Sequence, residues 1–196
     1  MKKIRPIIIL LFVFSLTACD LSSEDKITQG DLLSDASKFE NGVSTALDYN
    51  NGLVSLISLL QVEYAKVDNI MSEDDFDLND SEFYSRYSAA YISFKNECQR
   101  IKSVVTKVAP VGTGGAEFKR FSLECADAYI DLANLIDAES VLNVYNNVDE
   151  QQYSLIEASY ERVDQKENNY ISMNERFCKL NDITMGAAVD IEALAK

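Results

Sequence analysis

The chain contains no histidine, and its 196 residues include only two prolines and seven glycines. Without histidine it cannot build a Ser-His-Asp or Cys-His catalytic site, a His-ligated haem or zinc site, or the Glu-x-x-His motif of di-iron bundles. Few prolines and glycines mean few helix-breaking residues, and hydrophobic residues make up 47% of the chain. This composition favours long helices around a substantial hydrophobic core, and no cofactor is expected.

Positive charge is also scarce, with 18 Lys and Arg against 32 Asp and Glu and a formal net charge of −14. No cluster of Lys and Arg is interleaved with aromatic residues, so the sequence does not predict nucleic-acid binding. An acidic surface repels nucleic acid and anionic lipid headgroups. It either favours a basic protein partner or serves only to keep the protein soluble.

A short apolar stretch, Pro6 to Leu16, follows the basic residues Lys2, Lys3 and Arg5 near the start of the chain. A membrane-spanning helix needs about 20 apolar residues, so this stretch is too short to span a bilayer. A basic segment followed by a short apolar one is typical of a cleaved secretory signal. The stretch ends in Leu16-Thr17-Ala18-Cys19, which resembles the lipobox of bacterial lipoproteins.

The resemblance implies that residues 1–18 are a signal peptide and that Cys19 becomes a lipidated N-terminus. Residues 19–30 would then tether the domain to the membrane, in the bacterial cell envelope and facing the periplasm. Asp20 resembles the signal that retains enterobacterial lipoproteins in the inner membrane, which favours the inner over the outer membrane. An ordinary signal peptide ending in Ala-Cys is the alternative. Losing residues 1–18 removes three basic and no acidic residues, which changes the net charge from −14 to −17.

Residues 31–196 are predicted to form a single helical domain. Apolar residues recur at steps of three or four in four long segments, as expected for helices with one buried face. These segments are 43–71, 80–108, 116–145 and 149–180, preceded by a shorter helix over 31–40 and followed by a short helix or tail over 184–196. Similar lengths and short loops predict an all-α fold, an antiparallel up-down four-helix bundle.

Two local signals refine this prediction. Asn50-Asn51-Gly52 interrupts the first long segment, but the apolar phase continues across it, so a continuous helix is favoured over a turn. Asn79, with Glu82 three residues later, looks like a variant capping box that opens the next helix.

Three cysteines remain beyond Cys19. Cys98 lies 14 residues before Gly112 and Cys125 lies 13 residues after it, so an antiparallel hairpin about Gly112 would bring them level. This placement predicts a Cys98–Cys125 disulfide, and three buried thiols are the alternative. Cys178 is left over, either buried or available for an intermolecular bond.

The segment from Ser72 to Asp80 is the candidate partner-binding site. It has no basic residue and contains five acids: Glu73, Asp74, Asp75, Asp77 and Asp80. It partly resembles an EF-hand loop, but Asp80 replaces the glycine of the turn and Arg86 replaces the final glutamate, so no metal site is expected. The alternative is a solvated loop that only caps the following helix.

Three functions remain open at this stage. The first is a non-enzymatic protein-binding lipoprotein, with an immunity-like or envelope-assembly accessory role. The second is a small-ligand-binding or sensory helical bundle. The third is a hydrolase that uses carboxylates alone. The first is preferred because the missing catalytic residues do not count against it, and the protein is not expected to be an enzyme.

Overall fold

The computed structural model describes residues 26–147, 150–186 and 189–196. The signal peptide, Cys19 and Asp20 lie outside these residues. The described residues form seven helices and no strand: α1 (Gln29–Glu40), α2 (Ala46–Met71), α3 (Ser81–Lys107), α4 (Gly115–Ala133), α5 (Ala138–Asn147), α6 (Glu150–Leu180) and α7 (Ile191–Leu194). The predicted all-α class is confirmed. In the described ranges no helix is both long and apolar enough to cross a membrane.

Helix α2 lies at the centre of the molecule. Nearly every side chain from Tyr49 to Val67 is buried, because α1, α3, α4, α6 and α7 all pack against this helix. In its first half, Tyr49 packs against aromatic rings of α1, α4 and α6. In its second half, Tyr64 packs against rings of α3, α4 and α6. The two tyrosines therefore belong to one continuous hydrophobic core that surrounds α2.

The loop over residues 72–80, the start of α3 and helix α5 meet at one end of the molecule. Asn79 and Asn146 exchange two side-chain hydrogen bonds of 3.2 and 3.1 Å. The Phe76 ring packs edge-on against Tyr145, with the centroids 6.4 Å apart. The Gln152 side chain donates to the Leu135 carbonyl at 3.4 Å, which joins the start of α6 to the same region.

The opposite end joins the α3–α4 connection to the start of α2 and the end of α6. The Thr113 amide donates to Asn181 Oδ1 at 2.8 Å, and Asn181 Nδ2 donates to the Thr113 carbonyl at 3.0 Å. Tyr49, in the first turn of α2, donates its hydroxyl to the Gly115 carbonyl at 3.3 Å. Helix α3 therefore runs away from the 72–80 loop, α4 returns toward α5, and α6 runs away again.

Helix α2 passes through Asn50-Asn51-Gly52 without a break, which confirms the predicted continuity. The glycine has a packing role, because a Cβ at Gly52 would lie 2.4 Å from Cδ2 of Phe39. Phe39 is fully buried. Gly52 thus allows α1 to pack closely against α2.

The predicted single helix over 116–145 is wrong, since α4 ends at Ala133 and α5 begins at Ala138. The Asp137 side chain accepts hydrogen bonds from the amides of Glu139 and Ser140 at 3.1 and 3.0 Å, as a residue that starts a helix does. Ile136, within the turn, is buried. The apolar spacing therefore continues through a change of direction that periodicity alone does not reveal.

The predicted capping box at Asn79 is also wrong, by one residue. Asp80 is the N-cap of α3, and its Oδ1 accepts from the amides of Glu82 and Phe83 at 2.8 and 3.3 Å. The Asn79 side chain instead contacts Asp77 and Asn146. Asparagine and aspartate are both good N-cap residues, so the sequence did not show which of Asn79 and Asp80 caps α3.

The structure does not contain the predicted Cys98–Cys125 disulfide. Both residues, like Cys178, are buried free thiols. Burial raises the pKa of the Cys98 thiol to about 12 and raises that of Cys125 well above its ordinary value. Thiol oxidation proceeds through the thiolate, which burial disfavours. Cys178 donates to Asn50 Oδ1 at 3.4 Å inside the core, consistent with the buried alternative.

The packed domain starts earlier than the predicted boundary at residue 31. Ile27 is buried in the core, and Thr28 forms a reciprocal capping box with Asp31 at the start of α1. The last residues of the predicted tether therefore belong to the folded domain.

Candidate functional site

The loop over residues 72–80 is held in place by its apolar residues. Leu78 is 2% exposed, and the Phe76 ring contacts the rings of Phe83, Tyr87 and Tyr145. Its carboxylates are consequently presented from a fixed surface.

Three of the five predicted binding acids are used inside the fold. Both carboxylate oxygens of Glu73 accept hydrogen bonds from the Arg86 guanidinium, one of them at 3.1 Å. Asp77 Oδ1 accepts from the backbone amide and the side chain of Asn79, both at 2.9 Å. Asp80 caps α3. These three carboxylates shape the loop.

Asp74 and Asp75 are the two acids of the loop that point into solvent. Both are exposed, and neither forms a hydrogen bond or an ion pair with any described residue. Of the five predicted residues, these two remain available to a partner.

The end of the molecule that carries this loop is almost free of positive charge. The sequence has no Lys or Arg between Lys66 and Arg86 or between Arg120 and Arg162, and Arg86 is already paired with Glu73. We call this region the acidic end; its described acids are Asp68, Glu73, Asp74, Asp75, Asp77, Asp80, Glu82, Asp137, Glu139 and Glu150.

Basic side chains concentrate toward the opposite end. They lie in the second half of α3, the first turns of α4 and the last turns of α6: Arg100, Lys102, Lys107, Lys119, Arg120, Arg176 and Lys179. Several pair with acids there, including Arg100 with Glu97 at 2.7 Å and Arg176 with Glu117 at 3.3 Å. The surface charge is therefore polarised along the long axis of the domain.

Asp68, near the end of α2, is the acid of this region that sequence analysis missed. It is half-buried, and its charge acts on the hydroxyls of Tyr64, Tyr87 and Tyr160, which come from α2, α3 and α6. Burial raises the pKa of its carboxyl to about 6. No described residue gives this carboxylate a hydrogen bond or an ion pair.

Glu167 of α6 provides the contrast. Its Oε1 accepts from Gln61 Nε2 at 2.6 Å and from the Tyr129 hydroxyl. Burial raises the pKa of Glu167, while these two hydrogen bonds act in the opposite direction. Because two donors bond to this carboxylate, we interpret Glu167 as a structural residue that links α6 to α2 and α4.

Other buried polar atoms lie in the core without a hydrogen-bond partner among the described residues. They are the hydroxyls of Ser55, Ser58, Tyr64, Ser159 and Tyr170 and the side-chain oxygen of Gln61. The described residues contain no group of three or more His, Cys, Asp or Glu side chains arranged to hold a metal ion.

A pattern in the sequence does point to Asp68. Asn50, Gln61 and Asp68 are polar residues of α2 separated by 11 and 7 residues, so they share one helical face. In the structure this face meets α6, through Cys178, Glu167 and Tyr160 respectively.

No protein-family model, curated protein or solved structure matches this chain. The residues of the acidic end are accordingly interpreted from their geometry and charge.

Proposed function

We propose that this chain is a lipoprotein, anchored in the membrane of the bacterial cell envelope, that acts as a non-enzymatic protein-binding module. Its partner is a basic protein that docks at the acidic end. The observation that carries the proposal is the polarised charge, since the acidic end contains a single basic side chain that is already paired. Concentrated like charge speeds encounter with an oppositely charged surface.

The proposed anchor is the lipid on Cys19, which the lipobox supports. Asp20 favours the inner membrane, with the domain facing the periplasm. An immunity-like role or an accessory role in envelope assembly fits a tethered domain whose activity is to hold another protein.

The proposed scaffold is the antiparallel up-down four-helix bundle, formed by α2, α3, α4 and α6. The support is that α2 packs on α3, α3 on α4 and α4 on α6, with short connections from α2 to α3 and from α3 to α4, while α5 lies in the connection from α4 to α6. Helices α1 and α7 would then cover the outer face of α2, and α5 would close the acidic end.

The alternative function is a small-ligand-binding or sensory bundle. It is favoured by one observation, the buried hydroxyls without partners in α2 and α6. A small ligand in the core would raise the melting temperature with its concentration, and partner docking at the acidic end does not require such an effect.

The test neutralises Asp74 and Asp75 together, as Asp74→Asn with Asp75→Asn. Glu73, Asp77 and Asp80 stay, because they hold the loop and cap α3. The partner is first captured by cross-linking in the envelope. Its association rate is then measured by surface plasmon resonance at about 0.1 M and about 1 M salt, where the Debye length falls from about 10 Å to about 3 Å.

The matched control is Glu175→Gln with Asp182→Asn, which removes the same charge from exposed positions near the opposite end. Asp182 has φ +54°, a conformation that asparagine accepts well. We expect the acidic-end variant to slow association and lose salt dependence, and the control to change little. Equal effects of the two variants would refute docking at the acidic end.

A further inference from the structure

We propose that Asp68 is the anchor point of the acidic end and receives the side-chain ammonium group of a lysine from the basic partner. This inference rests on the proposed function and names the contact through which docking is fixed.

The first argument is that Asp68 is an unsatisfied carboxylate. The other shielded carboxylates near it have partners: Glu167 accepts from Gln61 and Tyr129, and Asp137 accepts from two amides and the Ser140 hydroxyl. Asp68 has neither a donor nor a cation within the described part of the chain. A charge that is partly withdrawn from water without a partner is costly, and such groups concentrate at functional sites.

The second argument comes from Tyr64, which precedes Asp68 by one turn of α2. The Tyr64 side chain is 2% exposed, and its hydroxyl makes no hydrogen bond of acceptable geometry with the described residues. The Tyr160 hydroxyl is close enough to it for a weak hydrogen bond, and the charge of Asp68 acts on it. A carboxylate without a donor, one helical turn from a buried hydroxyl without a well-formed hydrogen bond, is a place where a donor from outside would be held.

The surroundings favour an ammonium group over other donors. The charge of Asp68 acts on the hydroxyls of Tyr64, Tyr87 and Tyr160, which come from three helices, and the Tyr87 hydroxyl already donates to the Ile136 carbonyl at 2.6 Å. Lysine carries a compact charge on a slender stem, whereas the wide planar fork of arginine suits an open, bidentate carboxylate.

No cation among the described residues pairs with Asp68. Arg86, the basic residue of the acidic end, is held by Glu73. The charged or titratable groups that act on the same tyrosines are further acids, with Asp137 acting on Tyr87 and Glu167 on Tyr64. The local field therefore attracts a cation from a partner.

The experiment compares Asp68→Asn with Asp75→Asn, which removes the same charge from the exposed surface of the same end. The probes are tetralysine and tetra-arginine peptides of equal charge, with blocked termini. Binding of the full mature chain is measured by isothermal titration calorimetry. The ¹³C carboxyl resonance of Asp68 is followed against pH with and without tetralysine, and circular dichroism checks that both variants fold.

We expect Asp68→Asn to weaken tetralysine binding by at least about tenfold, as losing one partner of a shielded charge pair does. Asp75→Asn should weaken it by less than about threefold, as for an exposed pair. Tetralysine should lower the pKa of Asp68, because a nearby cation favours the ionised carboxylate. Tetra-arginine should show a smaller difference between the two variants.

Three results would overturn the inference. Equal weakening by the two variants, or an Asp68 resonance that tetralysine leaves unchanged, would show that Asp68 is not the anchor; docking through Asp74 and Asp75 would remain intact. A larger difference with tetra-arginine would show that the site selects guanidinium. The opposite outcome is also distinguishable. If Asp68→Asn weakens tetralysine binding as expected, but association of the partner with the Asp74→Asn, Asp75→Asn variant keeps its salt dependence, the proposed docking surface is refuted and the ammonium site is retained.

Discussion

At the scale of single residues, the surroundings of a carboxylate decide its role more than its position in an acidic run. Glu73 and Asp75 are two residues apart, yet Glu73 is bound by Arg86 while Asp75 is exposed. Asp68 differs from both, because it is half-buried and no described group pairs with it. Its ionisation should therefore reduce the stability of the fold.

The prediction at this scale concerns Asp68→Asn. Burial raises the pKa of Asp68 from its ordinary 3.8 to about 6, so the folded protein holds this proton more tightly than the unfolded chain. The Asp68 contribution to the free energy of unfolding is greatest below about pH 4, falls as pH rises toward 6, and is constant above. Asparagine cannot ionise, so the variant should gain about 1–2 kcal/mol over the wild type between pH 4 and 7, allowing for partial exposure.

Urea unfolding of both proteins at pH 4, 5, 6 and 7 measures this gain. Asp75→Asn serves as the control, and its difference from the wild type should stay within about 0.5 kcal/mol at each pH, as for an ordinary surface substitution. A difference between Asp68→Asn and the wild type that does not change with pH would show that Asp68 titrates normally.

Residue roles at the acidic end were only partly predictable. The run of acids from Glu73 to Asp80 was evident, but the sequence did not show that Arg86, thirteen residues after Glu73, folds back onto it. Helical phase places Asn50, Gln61 and Asp68 on one face, but this pattern was not among the predictions made from the sequence. The lack of a partner for Asp68 depends on side chains from α3 and α6, which no local pattern contains.

At the scale of elements, close packing between α1 and α2 depends on a missing side chain. The Gly52 Cα faces the buried Phe39 ring, and a Cβ there would also lie 2.5 Å from Cβ of Phe39. Since Phe39 is enclosed, it has no free space into which to move. Glycine inside a helix costs about 1 kcal/mol relative to alanine, and the close helix contact offsets that cost.

We predict that Gly52→Ala lowers the free energy of unfolding by about 1–3 kcal/mol, since overpacking outweighs the gain in helix propensity. Gly30→Ala is the matched control, because a Cβ at Gly30 meets only Thr28 Oγ1, at an ordinary 3.5 Å. It should leave stability unchanged or raise it slightly. Thermal and urea unfolding measure both variants, and equal or greater stability of Gly52→Ala would contradict the proposed role of the glycine.

Elements with an unbroken apolar period were predicted well, and the errors occurred where apolar residues continue through a turn. The helices over 46–71, 81–107 and 150–180 match their predicted segments closely. The division between α4 and α5 was missed because Leu135 and Ile136 maintain the period while the chain changes direction. The sequence did contain a signal for the break, because Asn134 and Asp137 cap the two helices at that division. The prediction followed the apolar period instead.

At the scale of the whole molecule, charge and anchorage are connected. A domain with one acidic end and a strongly negative total charge is repelled by anionic lipid headgroups. Repulsion would keep the domain away from the membrane surface, with the acidic end available to a partner. Under the proposed anchoring, the lipid on Cys19 would be what holds such a domain at the membrane.

The prediction at this scale is that Cys19→Ser abolishes incorporation of labelled fatty acid and releases the chain from the membrane fraction. Stable anchoring needs two lipid chains or a chain with a basic patch, and the strongly acidic domain supplies no compensating attraction. Release should therefore be complete at low salt, apart from precursor whose signal peptide is still attached, which the larger mass of that form identifies. Ser22→Ala, just beyond the lipobox, is the control and should keep both the label and the membrane fraction. Label retained by Cys19→Ser would exclude the lipid anchor. Processed but unlabelled protein that still sediments with the membrane would point to a second attachment, most directly a membrane-bound partner held at the acidic end, which about 1 M salt should dissociate.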